Sequence, residues 1–137
     1  MNLQEALYKL KAEGYKLTDK RRDILQYFVN RDEYSTANEV LSHLLTLYKG
    51  VSYDTVYRNL YLFHQLRLLE QTTLNGEKHF RLQCETKHHH HLICKSCGKT
   101  KAIDNCPMED VKKSLTGYVI EDHKFEIYGY CPDCKSA

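Results

Sequence analysis

No stretch of this chain approaches the roughly 18 consecutive apolar residues of a membrane-spanning helix. Its opening, MNLQEALYKLKAEG, has the spacing of an amphipathic helix and lacks the unbroken apolar core of a secretory signal. A cytoplasmic protein with no membrane partner is the expectation. Charge of one sign is equally scarce: 20 Lys+Arg face 18 Asp+Glu, a net charge of +2. The surplus falls in residues 1–83, with 12 basic and 10 acidic side chains, while 84–137 carry eight of each. That excess is too small to establish nucleic-acid binding, so any such reading must rest on local arrangement. Missing too is an acid/base signature such as H-E-x-x-H, or H-x-E with P-C-x-x-C, which argues against an open-site zinc enzyme and a small-molecule substrate.

What the chain does have is cysteine and histidine, unevenly placed. All six cysteines and five of the eight histidines lie from Cys84 onward, which marks a boundary: residues 1–83 as one domain, 84–137 as another. Four cysteines fall in two C-x-x-C pairs, Cys94 and Cys97 in CKSC and Cys131 and Cys134 in CPDC. Such spacing favours metal over disulfides, and a thioredoxin-like redox role would need only one pair in a βαβ context. Four thiolates close a tetrahedron around zinc. The second domain therefore reads as a small α/β unit stapled by structural zinc. It contains a short helix in CPMEDVKKSL, with Pro107 near its first turn, and a two-stranded ribbon in GYVIEDHKFEIYGYC.

The first domain reads as helices closed by a hairpin. The spacing of Leu3, Ala6, Leu7 and Leu10 predicts a helix from Leu3 to Glu13, ended by Gly14. A second follows Thr18 as N-cap and buries Ile24, Leu25 and Phe28. Thr36 and Glu39 form a capping-box pattern for a third, with Val40, Leu41, Leu44 and Leu45 as its apolar stripe. Ser52 caps a fourth, whose Val56, Leu60 and Phe63 share one face while Asp54, Arg58, Tyr61 and Gln65 share the other. Asn75-Gly76 then centres a hairpin. Helices followed by a hairpin give the order of a winged helix-turn-helix, making the chain α+β. In that architecture the fourth helix enters the DNA major groove. Arg58 would grip guanine bidentately, with Tyr53, Tyr57, Lys16, Lys20, Arg21 and Arg22 available for phosphate or sugar.

The run KHHHHLICKSCGK, Lys87 to Lys99, has 46 residues after its last histidine and leads into strand-like sequence, so it is not a terminal tag. On a strand, His89 and His91 point one way and His88 and His90 the other, and one run can serve two metal sites. Spacing leaves their partners open among Cys84, Glu70, Glu109 and His123.

Five stretches, GYKLTDKRRDIL, SYDTVYRNL, HHHHLICKSCGK, HKFEIYGYC and CPDC, run in this order along nearly the whole chain. Together they resemble the ferric uptake regulator family of metal-dependent bacterial repressors, most closely its zinc-sensing branch. The resemblance implies a homodimer of winged-helix domains joined to α/β dimerisation domains, repressing transcription from palindromic double-stranded DNA when metal is bound. It implies structural zinc at Cys94, Cys97, Cys131 and Cys134. It further implies a sensory site at Cys84, His89 and His91 with Glu70, an additional metal site at His88, His90, Glu109 and His123, and DNA contacts by Tyr57 and Arg58. Cys106 has no counterpart. A thiolate at Cys84 shifts preference from iron or manganese toward zinc. The expected function is zinc-responsive repression of zinc-uptake genes, with an iron or peroxide sensor of the same family, and a zinc storage protein, as alternatives.

Overall fold

A computed structural model describes residues 1–29, 31–83, 90–104 and 106–135. The chain separates into two compact units, Met1–Glu85 and Thr86–Ala137.

In the first unit, each of the four helices starts where a side chain accepts an otherwise orphaned backbone N–H. Asn2 caps α1 (Leu3–Ala12), and Thr18 caps α2 (Asp19–Phe28). Thr36 and Glu39 form a reciprocal capping box at the start of α3 (Ala37–Leu44), and Ser52 caps α4 (Tyr53–Gln65). The α1 helix stops one residue short of expectation, with Glu13 as C-cap and Gly14 at φ +86°, a conformation that costs glycine little.

Strands β2 (Leu69–Leu74) and β3 (Glu77–Leu82) pair antiparallel around Asn75-Gly76. Both turn residues have positive φ, 53° and 80°, the geometry that matches the right-handed twist of a two-residue hairpin. A two-residue strand, β1 (Ser35–Thr36), extends this sheet in the order β1-β3-β2. The helices and sheet enclose one apolar core in which Leu10, Ile24, Leu25, Val40, Leu44, Val56, Leu60, Phe63 and Phe80 are buried. The expected stripe on α3 needs one correction. Leu45 is the C-cap and about half exposed, because the helix ends before that position turns inward.

In the second unit, β4 (His90–Cys94) is central in the order β5-β4-β6, antiparallel to β5 (Thr100–Ile103) and parallel to β6 (Glu126–Gly129). A short helix, α5 (Met108–Lys113), follows Pro107. The expected two-stranded ribbon in residues 117–131 is replaced by the single strand β6. The segment before β6 lacks a hairpin turn sequence, and β6 takes its hydrogen bonds from β4 instead.

Candidate metal centres and nucleic-acid face

The second unit gathers its metal-ligand side chains at the two ends of its sheet. At one end, β4 delivers Cys94 and the tight turn to β5 delivers Cys97. That turn is closed by Gly98 N–H donating to the Cys94 carbonyl at 2.9 Å, with Gly98 at φ +78°. After β6, a second turn with Cys134 N–H donating to the Cys131 carbonyl at 2.9 Å supplies the other pair. Lys95 N–H donates to the Gly129 carbonyl at 2.8 Å and locks the two turns together. The four Sγ atoms all lie within 4.8 Å of one another, and Cys97 Sγ is 3.8 Å from Cys131 Sγ. That is no disulfide, for which about 2.05 Å is required. It is the separation of about 3.8 Å that two sulfurs take on a tetrahedral zinc with Zn–S bonds of about 2.3 Å.

The electrostatics of this group suit a cation. Burial disfavours the Cys94 thiolate, yet N–H groups of Cys97, Cys131 and Ser96 directed at its sulfur outweigh that cost and lower its pKa from 9.0 to about 6. Desolvation of the Cys97 sulfur, together with its neighbouring thiols, pushes Cys97 up to about 12. Cys134 is raised as well, chiefly by the Cys131 sulfur. The Cys94 sulfur is thus the readily ionised one, while Cys97 and Cys134 hold their protons more tightly and give them up to a cation, so metal affinity falls as pH falls.

At the other end of the sheet, His90 begins β4. Its register partner Ile103 ends β5, three residues before Cys106, and His123 lies three residues before β6. His90, Cys106 and His123 form a second group whose ligand atoms all lie within 4.8 Å. The two Nε2 atoms of His90 and His123 are 3.4 Å apart, and Cys106 Sγ is 3.6 Å from His123 Nε2. Phe125 packs edge-on against the His90 ring at 5.3 Å between centroids. Of the residues expected at an additional site, His90 and His123 are brought together. Glu109 is exposed in the first turn of α5 and is not in this group, and His88 lies outside the described residues. Sequence reasoning gave Cys106 no place. The signal was in the hairpin count, since a turn at Lys95–Gly98 pairs Ile93 with Thr100 and so carries the chain past Ile103 to the His90 end.

The expected sensory set is only partly described. Cys84 and His89 lie outside the described residues, and His91 is buried on β4. Glu70 sits on β2 of the first unit, half-buried, where Arg81 Nη1 reaches its carboxylate at 3.4 Å and Gln83 Nε2 donates to it at 3.3 Å.

The α4 helix presents a face suited to DNA. Tyr53 and Tyr57 stack with centroids 6.0 Å apart, and Lys78 Nζ from the hairpin donates to Tyr57 Oη at 3.3 Å. A shallow cleft of about 210 Å³ between these tyrosines, Asn38 and the hairpin turn lies on the same side. Arg58 is 74% exposed and paired with Asp54 at 3.1 Å. A surface ion pair of this kind holds by about 1 kcal/mol or less, so it yields readily to a stronger acceptor. Lys16 is exposed too, and its carbonyl accepts from Arg21 Nη1 at 2.8 Å. Arg21, expected as a phosphate or sugar contact, is half-buried. Its Nε donates to Asn59 Oδ1 at 3.0 Å and braces α2 against α4.

A family model described as the ferric uptake regulator family matches residues 12–128. The ferric uptake regulation protein of Staphylococcus epidermidis strain ATCC 12228 is 47% identical over 135 residues, covering 98% of this chain and 97% of that protein. Among solved structures, the Helicobacter pylori ferric uptake regulator matches with a TM-score of 0.78 at 18% identity, over 100% of this chain and 96% of that one. A zinc uptake regulator complexed with zinc and DNA matches with a TM-score of 0.71 at 22% identity, over 98% and 93%. At those identities the two structures bear on the fold alone.

Proposed function

This chain belongs to the ferric uptake regulator family, metal-responsive transcription regulators and not enzymes, and from that premise we propose that it is a cytoplasmic, zinc-responsive repressor of zinc-uptake genes. It binds a palindromic operator as a homodimer. The observation that carries zinc is ligand chemistry. Cys84 adds a thiolate to a set that Glu70, His89 and His91 complete, and thiolate with imidazole favours tetrahedral zinc over iron or manganese.

In this reading the metal-bound protein holds the spacing of recognition helices that the operator needs in a dimer, and DNA selects the same arrangement. Metal and operator are then linked, each raising the affinity for the other. Two features support the dimer and the DNA face. Edge strand β6 leaves Ile127 and Tyr128 exposed, apolar surface that a second copy would cover, and Arg58 on α4 is solvent-exposed and held only by a surface ion pair to Asp54, which a base edge can displace. An additional metal site at the His90 end of the sheet belongs to the same reading.

Iron sensing is the second reading, because the 47% identical relative is named a ferric uptake regulation protein. A paired substitution experiment tests the assignment of roles. In Cys84→Ser, zinc no longer raises operator affinity, while metal-free binding is unchanged. In Arg58→Ala, affinity falls about 5- to 150-fold, the equivalent of the 1–3 kcal/mol of a bidentate base contact, and it falls in zinc-loaded protein with the zinc midpoint unmoved. Fluorescence anisotropy of a labelled operator reads both. Full zinc response in Cys84→Ser removes that thiol from the sensor.

A further inference from the structure

Cys106 has no role in the reading above, yet the fold carries it to two histidines. The sheet topology explains why. The β5 strand runs antiparallel to β4, so its exit lies beside the start of β4, and β6 runs parallel to β4, so its entry lies there as well. Residues just beyond β5 and just before β6 must therefore meet His90, and those residues are Cys106 and His123. The tetrathiolate group occupies the opposite end of the same strand, where Cys94 lies four residues and roughly 13 Å from His90.

The distances have a specific chemical meaning. On a tetrahedral zinc with Zn–N bonds of about 2.05 Å and a Zn–S bond of about 2.3 Å, two imidazole nitrogens lie about 3.3 Å apart and a nitrogen and a sulfur about 3.6 Å. The observed separations are 3.4 Å between His90 Nε2 and His123 Nε2 and 3.6 Å between His123 Nε2 and Cys106 Sγ. His90 is 8% exposed, and Phe125 packs edge-on against its ring with centroids 5.3 Å apart, which holds that ring in place. The set contains one soft sulfur and two borderline nitrogens, which suits zinc and disfavours manganese and iron(II).

We propose that the additional metal site at His90 and His123, which belongs to the proposed function above, takes the Cys106 thiolate as a ligand and so holds zinc. The ion ties the start of β4, the exit of β5 and the approach to β6 into one knot. This site stands apart from the sensor reading and does not depend on Cys84.

Cobalt(II) is the probe, because thiolate ligation gives it a near-ultraviolet charge-transfer band that imidazole and carboxylate do not. The protein carries Cys84→Ser, which removes the only other thiol outside the tetrathiolate group, and keeps its structural zinc. Addition of one equivalent of cobalt per chain produces the band. Adding Cys106→Ser abolishes it and weakens cobalt binding at this site about 100-fold, the upper range seen when even an outer-sphere partner of a metal is lost. Glu109→Gln leaves the band in place. No band in Cys84→Ser overturns the proposal, and so does a band that persists with Cys106→Ser, since the thiolate then belongs to exchanged structural cobalt. Should Cys106→Ser fail to fold, alkylation of Cys106 in the Cys84→Ser protein decides the matter: zinc slows it at least about 10-fold if the sulfur is a ligand, and an unchanged rate refutes ligation. In this Cys84→Ser protein zinc-dependent DNA binding is lost while the cobalt band remains; retained zinc-dependent binding would count against the sensor and not against this site.

Discussion

Replacing Cys131 with serine, or stripping the structural metal with a strong chelator, unfolds the Thr86–Ala137 unit and leaves Met1–Glu85 folded. The reason is the distribution of buried apolar surface. Every residue of the main core cluster lies in the first unit. Among the described residues of the second, the buried hydrophobic side chains are Ile93 and Cys94, with His90 and His91 beside them. A unit of this size, with so small a core, needs a staple to offset its conformational entropy. Structural zinc in comparable small domains contributes about 10–16 kcal/mol of apparent binding free energy at neutral pH, all of it available to folding. Removing one thiolate of four forfeits much of that. Amide exchange read by mass spectrometry gives the answer residue by residue. Protection is lost from β4, β5 and β6 and kept in α2, α4 and β3. Retained protection in the metal-free sheet would mean that the staple is dispensable. Acidification acts in the same direction, because protons compete with the metal for the sulfurs.

Phe63→Ala gives the second largest loss. Phe63 is fully buried on α4 and is among the largest side chains of the core. Truncation removes its transfer free energy and leaves a cavity, at a cost of about 3–5 kcal/mol. An 85-residue unit of ordinary stability holds roughly 4–13 kcal/mol, so the variant is close to unfolding, with Tm lower by about 12 °C or more. The functional consequence follows from position. Phe63 and Arg58 share one helix, so DNA affinity of Phe63→Ala collapses on mild warming while that of Arg58→Ala is low at every temperature. A Tm lowered by only 1–2 °C would show that the site repacks around the deletion.

Local signals in the sequence foretold much of the first unit. Thr18, the Thr36–Glu39 pair and Ser52 cap helices where their side chains can accept backbone N–H groups, and Asn75-Gly76 turns the hairpin because both positions tolerate positive φ. The tetrathiolate group was readable for the same reason, since C-x-x-C spacing fixes two ligands within one turn. What escaped depends on neighbours distant in sequence. Two-residue β1 exists only because β3 offers it hydrogen bonds. The β6 strand pairs with β4 across more than thirty residues of chain and does not fold back on its own segment. Cys106 gains its surroundings from three strands at once. Leu45 looked apolar and periodic, yet the helix stopped beneath it.

Operator binding under buffered metal separates zinc sensing from iron or manganese sensing. Protein holding its structural zinc is mixed with a labelled palindromic fragment while free zinc, manganese or iron(II) is raised separately, at one fixed salt concentration because phosphate contacts make affinity salt-dependent. Zinc alone switches on tight binding. Activation by iron(II) or manganese with zinc inert would contradict it and assign the chain to an iron- or manganese-sensing role.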